Sequence, residues 1–202
     1  MTKVQFLFDF GSPNAFLAHR VVPDIEKRTG SKLEYVPVLL GGIFKATGNK
    51  SPAEAFGAVA NKMAYERLET ERYLKRHGIT DFKFNPYFPV NTLLLMRMAV
   101  AAQIDNDLPR FIDAGCRHMW VEPKKMDDPV VARAALTESG LDAERLLSRS
   151  QEADVKGRLI SNTNDAVARG AFGIPTFFVG TEIFFGKDRL RDVEEAILST
   201  GR

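Results

Sequence analysis

The run Val4-Gln5-Phe6-Leu7-Phe8-Asp9-Phe10 leads straight into Gly11-Ser12-Pro13, and that junction limits the folds open to the chain. A short apolar and aromatic run closed by a turn residue reads as a buried strand. Gly11 supplies a tight turn, Ser12 is a favoured helix N-cap, and Pro13 falls where a helix has no use for an N–H. Ser12 is thereby aimed at a helix N-terminus, where free N–H groups and the helix dipole favour negative charge. A hydroxyl there has two readings: a helix cap and nothing more, or a hydrogen-bond donor to an anion.

Asn14–Arg28 reads as the first helix, with Leu17, Val21 and Ile25 on one stripe, stopped by Thr29-Gly30-Ser31. Lys32–Leu40 follows as a second strand ending in Leu39-Leu40-Gly41-Gly42. Strand, helix and strand at this spacing form a βαβ unit with parallel strands. Ile43–Asn49 is a short segment closed by Gly48-Asn49, and from Ser51 to Arg169 nearly everything reads as helix. Ser51-Pro52-Ala53-Glu54 is a strong helix start, and that helix runs with breaks to His77-Gly78. Further helices are expected over Asn91–Asn106, Pro109–Trp120, Pro129–Ser139 and Asp142–Gly170, while the aromatic, proline-broken Phe82–Pro89 lines something irregular. Strands return at Gly173–Val179 and Glu182–Phe185, a hairpin across Gly180-Thr181, before a last helix from Gly186-Lys187-Asp188 through Leu198. Neither β half makes a useful sheet alone, so the two ends pair. The expectation is an α/β fold: a βαβ…ββα core from residues 1–45 and 170–202, with a large all-helical insertion over 46–169. A cleft between the two parts is the natural ligand site.

The formal charge is only +2, and no basic face is interleaved with aromatics, which argues against nucleic acid as a partner. The sequence lacks the basic-then-apolar pattern of a signal peptide and any membrane-spanning run, so a cytoplasmic protein is expected. A single cysteine, Cys116, excludes an internal disulfide and reads as a buried inert thiol. His19, His77 and His118 are too scattered for a metal site, and none is expected.

Ser12-Pro13-Asn14-Ala15 occupies the slot that Cys-Pro-x-Cys fills in thioredoxin-like proteins, with both sulfurs missing. A hydroxyl cannot exchange disulfides, but it can donate to another molecule's thiolate. With Phe8-Asp9-Phe10-Gly11-Ser12-Pro13, Leu40-Gly41-Gly42-Ile43-Phe44-Lys45-Ala46-Thr47-Gly48-Asn49, Phe88-Pro89-Val90-Asn91-Thr92-Leu93, Phe172-Gly173-Ile174-Pro175 and Phe185-Gly186-Lys187-Asp188-Arg189-Leu190 in this order, the whole chain resembles the 2-hydroxychromene-2-carboxylate isomerases and their kappa-class glutathione transferase relatives. The resemblance implies a thioredoxin-like, DsbA-like fold carrying a helical insertion, a cis bond at Ile174-Pro175, glutathione as cofactor and a homodimer.

It also implies roles position by position. Ser12 matches the serine that hydrogen-bonds the glutathione sulfur. Ile174 matches the residue whose backbone pairs with the cysteinyl unit. Asp188 matches the carboxylate that takes the γ-glutamyl ammonium, within the turn Phe185-Gly186-Lys187. Asn49 and Lys62 match polar contacts to the tripeptide, Lys62 suiting the glycyl carboxylate. Lys62 lies further from Asn49 than in the kappa enzymes, and Lys187 stands where many of them have a small hydroxyl residue. For a small aromatic carboxylate substrate, placement suggests Lys45 as the cation, with Asn85, Tyr87 and Asn91 as neighbours.

Structural readings compete throughout. Lys45 and Lys62 also read as solvated lysines, Asn49 as a turn residue, and Asp188 as a helix-start acid. The leading function is glutathione-dependent isomerisation of 2-hydroxychromene-2-carboxylate to trans-o-hydroxybenzylidenepyruvate, a step of naphthalene breakdown, by reversible thiolate addition. The alternative is a transferase that conjugates small electrophiles. A non-catalytic binding module is a third reading, whereas a thiol–disulfide oxidoreductase lacks the sulfur it needs.

Overall fold

The structure, a computed structural model, describes residues 3–200; the outermost positions of the expected domain limits, 1–2 and 201–202, lie outside the described residues. The chain opens with β1 (Val4–Phe8), α1 (Pro13–His19), α2 (Val22–Thr29) and β2 (Glu34–Pro37). Eight helices follow: α3 (Leu40–Thr47), α4 (Pro52–Phe56), α5 (Ala60–His77), α6 (Leu93–Ile104), α7 (Leu108–Trp120), α8 (Pro129–Glu138), α9 (Ala143–Arg149) and α10 (Ala153–Ala168). β3 (Thr176–Val179), β4 (Glu182–Phe185), a 3-10 turn at Lys187–Arg189 and α11 (Leu190–Thr200) complete the described chain.

The strands form one mixed sheet in the order β2-β1-β3-β4. β1 runs parallel to β2 and antiparallel to β3, and β3 and β4 form the hairpin. The two chain ends therefore pair, as the shortage of strands requires. Phe6 on β1 stacks on Phe177 of β3 with centroids 4.7 Å apart, and both rings are fully buried. α6 is apolar on nearly every side and packs against α7, α9 and α10, which makes it the axis of the helical part.

Several expected boundaries move, each for a local reason. The helix expected over Asn14–Arg28 is two helices, because Pro23 enters the first turn of α2 and has no N–H to continue α1. The second strand stops at Pro37, and Leu40 opens α3 rather than ending a strand, its N–H captured by the Asp9 side chain at 2.7 Å. Gly48, at φ 69°, closes α3 in the left-handed conformation that glycine adopts freely. The helix expected over Asp142–Gly170 breaks at Ser150, whose hydroxyl donates back to the Leu147 carbonyl and whose side chain is buried. The start of the last helix is first a 3-10 turn over Lys187–Arg189.

Gly115 lets α7 approach the end of β1. A Cβ added there would lie 2.5 Å from Cε1 and 2.6 Å from Cζ of Phe10, a buried ring. Gly115→Ala is therefore expected to lower stability by about 1–3 kcal/mol through overpacking, read as a drop in the denaturation midpoint.

Candidate functional site

The site is built where β1 turns into α1. Ser12 is extended in backbone, caps α1 by accepting from Ala15 N–H at 3.2 Å, and is only 5% exposed. Its hydroxyl proton goes to the Ile174 carbonyl at 3.0 Å, across 162 positions of sequence. Ile174 precedes Pro175 through a cis peptide bond, the geometry expected there; Phe88-Pro89 is cis as well, which was not anticipated. The Ile174 N–H donates to no group among the described residues. The alcohol thus lies beside a backbone edge with an unused donor. α1 has only seven residues, shorter than the helix expected over Asn14–Arg28.

Asp9 holds this turn in place. It is 1% exposed, and its Oδ1 accepts from Gly11 N–H at 2.8 Å and from the Thr92 hydroxyl at 2.6 Å, while Oδ2 accepts from Leu40 N–H. One carboxyl group joins the Ser12 turn, the start of α3 and the start of α6. Burial pushes this carboxyl above the ordinary aspartate range, and the three donors pull it partly back. From the other side the Trp120 indole N–H donates to the Phe10 carbonyl at 2.9 Å. Asp9 was missed as a functional position, although an acid at the end of an apolar strand is itself a signal. Thr92, 83 positions away, gave none.

Several expected site residues converge on the same corner. Asn49, at the end of α3, donates to the Phe172 carbonyl at 2.8 Å, two positions before Ile174. The exposed ring of Phe185 lies 4.5 Å from that of Phe172, and Gly186, at φ 97°, donates from its N–H to the Pro175 carbonyl at 2.9 Å. The 3-10 turn carrying Lys187 and Asp188 packs against α1. Asp188 faces outward and Lys187 is buried, its ammonium on the Asp188 carboxylate.

Other expected residues are used differently. Asn85 is 1% exposed and its amide is consumed internally: it donates to the Met119 and Lys124 carbonyls at 3.1 Å each and accepts from Tyr87 N–H at 2.9 Å. That wiring ties the proline-broken segment to the end of α7 and leaves Asn85 no free polar atom for a substrate. Asn91 accepts from Leu93 N–H at the start of α6, and the Tyr87 side chain is exposed. Lys45 is exposed on α3. Lys62 on α5 stands over the Phe56 ring, 4.1 Å from its centroid.

Cys116 is buried next to α1, and burial pushes its thiol above the ordinary range. A thiol so placed is a poor nucleophile. At the end of α1, His19 Nδ1 meets the Tyr35 hydroxyl at 2.7 Å, and burial holds the imidazole below its usual value. His118, whose Nδ1 has no partner among the described residues, is shifted down by burial as well. The unfolded chain takes up protons at the ordinary histidine value of about 6.5, before the folded one does. Stability is therefore full above that value and is lost as pH falls through it toward the folded values. Thermal melts between about pH 7 and about pH 5 are expected to show this fall, with a shallower slope in His19→Gln. No group of three or more His, Cys, Asp or Glu residues among those described is arranged to hold a metal, and no described helix is long and apolar enough to cross a membrane.

Residues 3–198 match the family model of the DSBA-like thioredoxin domain. The chain belongs to that family. Within the DSBA-like family it is 29% identical to the 2-hydroxychromene-2-carboxylate isomerase of Sphingobium xenophagum, an alignment covering 98% of this chain and 100% of that one. It is 25% identical to glutathione S-transferase kappa 1 of Homo sapiens, over 93% of this chain and 87% of the relative. Among solved structures, a 2-hydroxychromene-2-carboxylate isomerase superposes with a TM-score of 0.83 at 24% identity, covering 98% of this chain and 96% of the other. The DsbA of Pseudomonas aeruginosa gives 0.59 at 18% identity, over 100% and 84%. Both superpositions establish the DSBA-like fold. At 25 to 29% identity the sequence relatives bear the names of an isomerase and of a glutathione transferase.

Proposed function

We propose that this chain is a glutathione-dependent isomerase acting on a 2-hydroxychromene-2-carboxylate or a close analogue. One observation carries the reading: a buried alcohol, with no cysteine beside it, sits at a helix start against the backbone that precedes a cis-proline. That arrangement serves to hold an anion brought in by another molecule. It has no redox couple of its own.

The residues present suit glutathione. The unused Ile174 N–H and its carbonyl offer a peptide edge to the cysteinyl unit, Asp188, paired with Lys187, borders the γ-glutamyl end, and Lys62 offers a cation for the glycyl end. When bound, glutathione supplies a thiol whose anion adds reversibly to a conjugated carbon, allowing the former double bond to rotate. Ser12 does the protein's part of that chemistry. Its O–H now satisfies the Ile174 carbonyl and rotates toward a thiolate with little other movement. Ala15 N–H, donating to the same oxygen, keeps the alcohol fixed in place while it does so. Asp9 and Trp120 hold the turn rigid, which keeps the donor preorganised. For the substrate carboxylate, exposed Lys45 is the proposed cation, with Tyr87 and Asn91 as further proposed contacts.

The kappa transferase relatives support a second reading, irreversible conjugation of an electrophile by the same thiolate. Calorimetric titration with glutathione, followed by assays on the chromene carboxylate and on an aryl halide, separates the two. Isomerisation without appreciable conjugate is the expected result. Conjugate formation at the higher rate makes the protein a transferase, and absence of glutathione binding removes both readings.

A further inference from the structure

A lysine that is 6% exposed needs a counter-charge, and Lys187 has one beside it. Its Nζ donates to both oxygens of Asp188, at 2.8 and 3.1 Å, and faces the Tyr73 ring, 4.9 Å from the centroid. Tyr73, buried on α5, donates its hydroxyl to the Leu17 carbonyl on α1 at 3.4 Å. The ammonium is thus enclosed between α1, α5 and the 3-10 turn, while the Asp188 side chain, 70% exposed, faces outward. Glu69 on α5, whose carboxylate also feels the Lys187 charge, is itself engaged by Arg72. Asp188 is therefore the carboxylate that neutralises Lys187.

That pairing changes what Asp188 offers a ligand. A lone carboxylate draws in an ammonium. A carboxylate already holding a cation presents a neutral pair, and Nζ, 2.8 Å from the nearer oxygen, repels a second ammonium and offsets part of its attraction to the oxygens. The side chains also cannot trade places cheaply, because withdrawing Asp188 would leave Lys187 buried and unpaired. Resting on the reading that Asp188 borders the thiol-ligand site, we propose that Lys187 supplies from within the protein the cation Asp188 would otherwise take from the ligand. The chain then accepts thiol peptides with or without a free α-ammonium group.

The test is calorimetric binding of glutathione and of its deaminated analogue, glutaryl-cysteinyl-glycine, to the wild-type protein and to Lys187→Met, which keeps most of the buried stem. In the wild type the two dissociation constants should agree within about threefold, as for an exposed charge facing a neutral pair. In Lys187→Met glutathione should gain on the analogue by about tenfold. A wild-type preference for glutathione above about tenfold overturns the proposal while leaving the proposed function standing. Failure of both ligands to bind the wild type overturns the two together. Melting adds a readout independent of ligand: Asp188→Asn should lower Tm by stranding the lysine, and Lys187→Met in the same chain should restore it. An unchanged Tm in Asp188→Asn, with glutathione binding weakened by about tenfold or more, contradicts the proposal. If Lys187→Met fails to fold, the wild-type comparison alone decides.

Discussion

Under the proposed function, Ser12→Ala is expected to lower turnover by about 10²-fold, measured as kcat on the chromene carboxylate with saturating glutathione, while the far-ultraviolet spectrum stays that of the wild type. The expected size is that of losing one preorganised donor to the proposed thiolate at a position only 5% exposed. The same change deletes the cap of α1, since Ala15 N–H loses its acceptor, at a cost of about 1 kcal/mol. The loss of rate is thus larger than any loss of folded protein accounts for. A Ser12→Ala enzyme running at the wild-type rate takes the alcohol out of the chemistry and leaves it a helix cap.

Asp9→Ala is expected to be the most damaging single change to the scaffold. It strands the Gly11 N–H, the Leu40 N–H and the Thr92 hydroxyl in a region where Asp9 is 1% exposed. Each buried donor left without a partner costs about 1–3 kcal/mol, so a loss of about 3 kcal/mol or more is expected in denaturant titration. Asp9→Asn keeps one acceptor oxygen and should fall between the two. Activity should drop further than the folded fraction, because the Gly11-Ser12 turn loses its anchor to α3 and α6. Wild-type stability in Asp9→Ala would mean that water replaces the carboxyl without cost.

The fold was legible at its ends. A strand running into Gly-Ser-Pro, and an Ile-Pro before a hairpin, are local signals that pairing and turn chemistry force to one outcome. That the two ends pair followed from the shortage of strands, whereas the order β2-β1-β3-β4 is set by tertiary structure. Helix boundaries were less legible, and the reason is particular. Leu39-Leu40-Gly41-Gly42 has no local helix signal, and α3 begins there because the Asp9 side chain, just past the end of β1, captures the Leu40 N–H. Pro23 was the readable warning against one long first helix.

Within the site, the placement of Ser12 at a helix start and of Ile174 before a cis-proline was legible because both are tied to local punctuation. Asn85 and Asp9 were not, since what each does depends on partners far away in sequence. Met119 and Lys124 consume the Asn85 amide, and Thr92 completes the Asp9 cluster. Polarity in an aromatic loop says that an amide is present, and only packing says whether it faces inward. Lys187 was visible as an unusual charge, but its burial against Tyr73 and its grip on Asp188 come from tertiary structure alone.

The most direct test of the central claim is the acidity of the bound thiol. Titrating the ultraviolet thiolate band of glutathione on the wild-type protein should give an apparent pKa at least about one unit below the ordinary thiol value of about 8.5, and Ser12→Ala should move it back up. A bound thiol that titrates at its ordinary value in the wild-type protein would contradict the account.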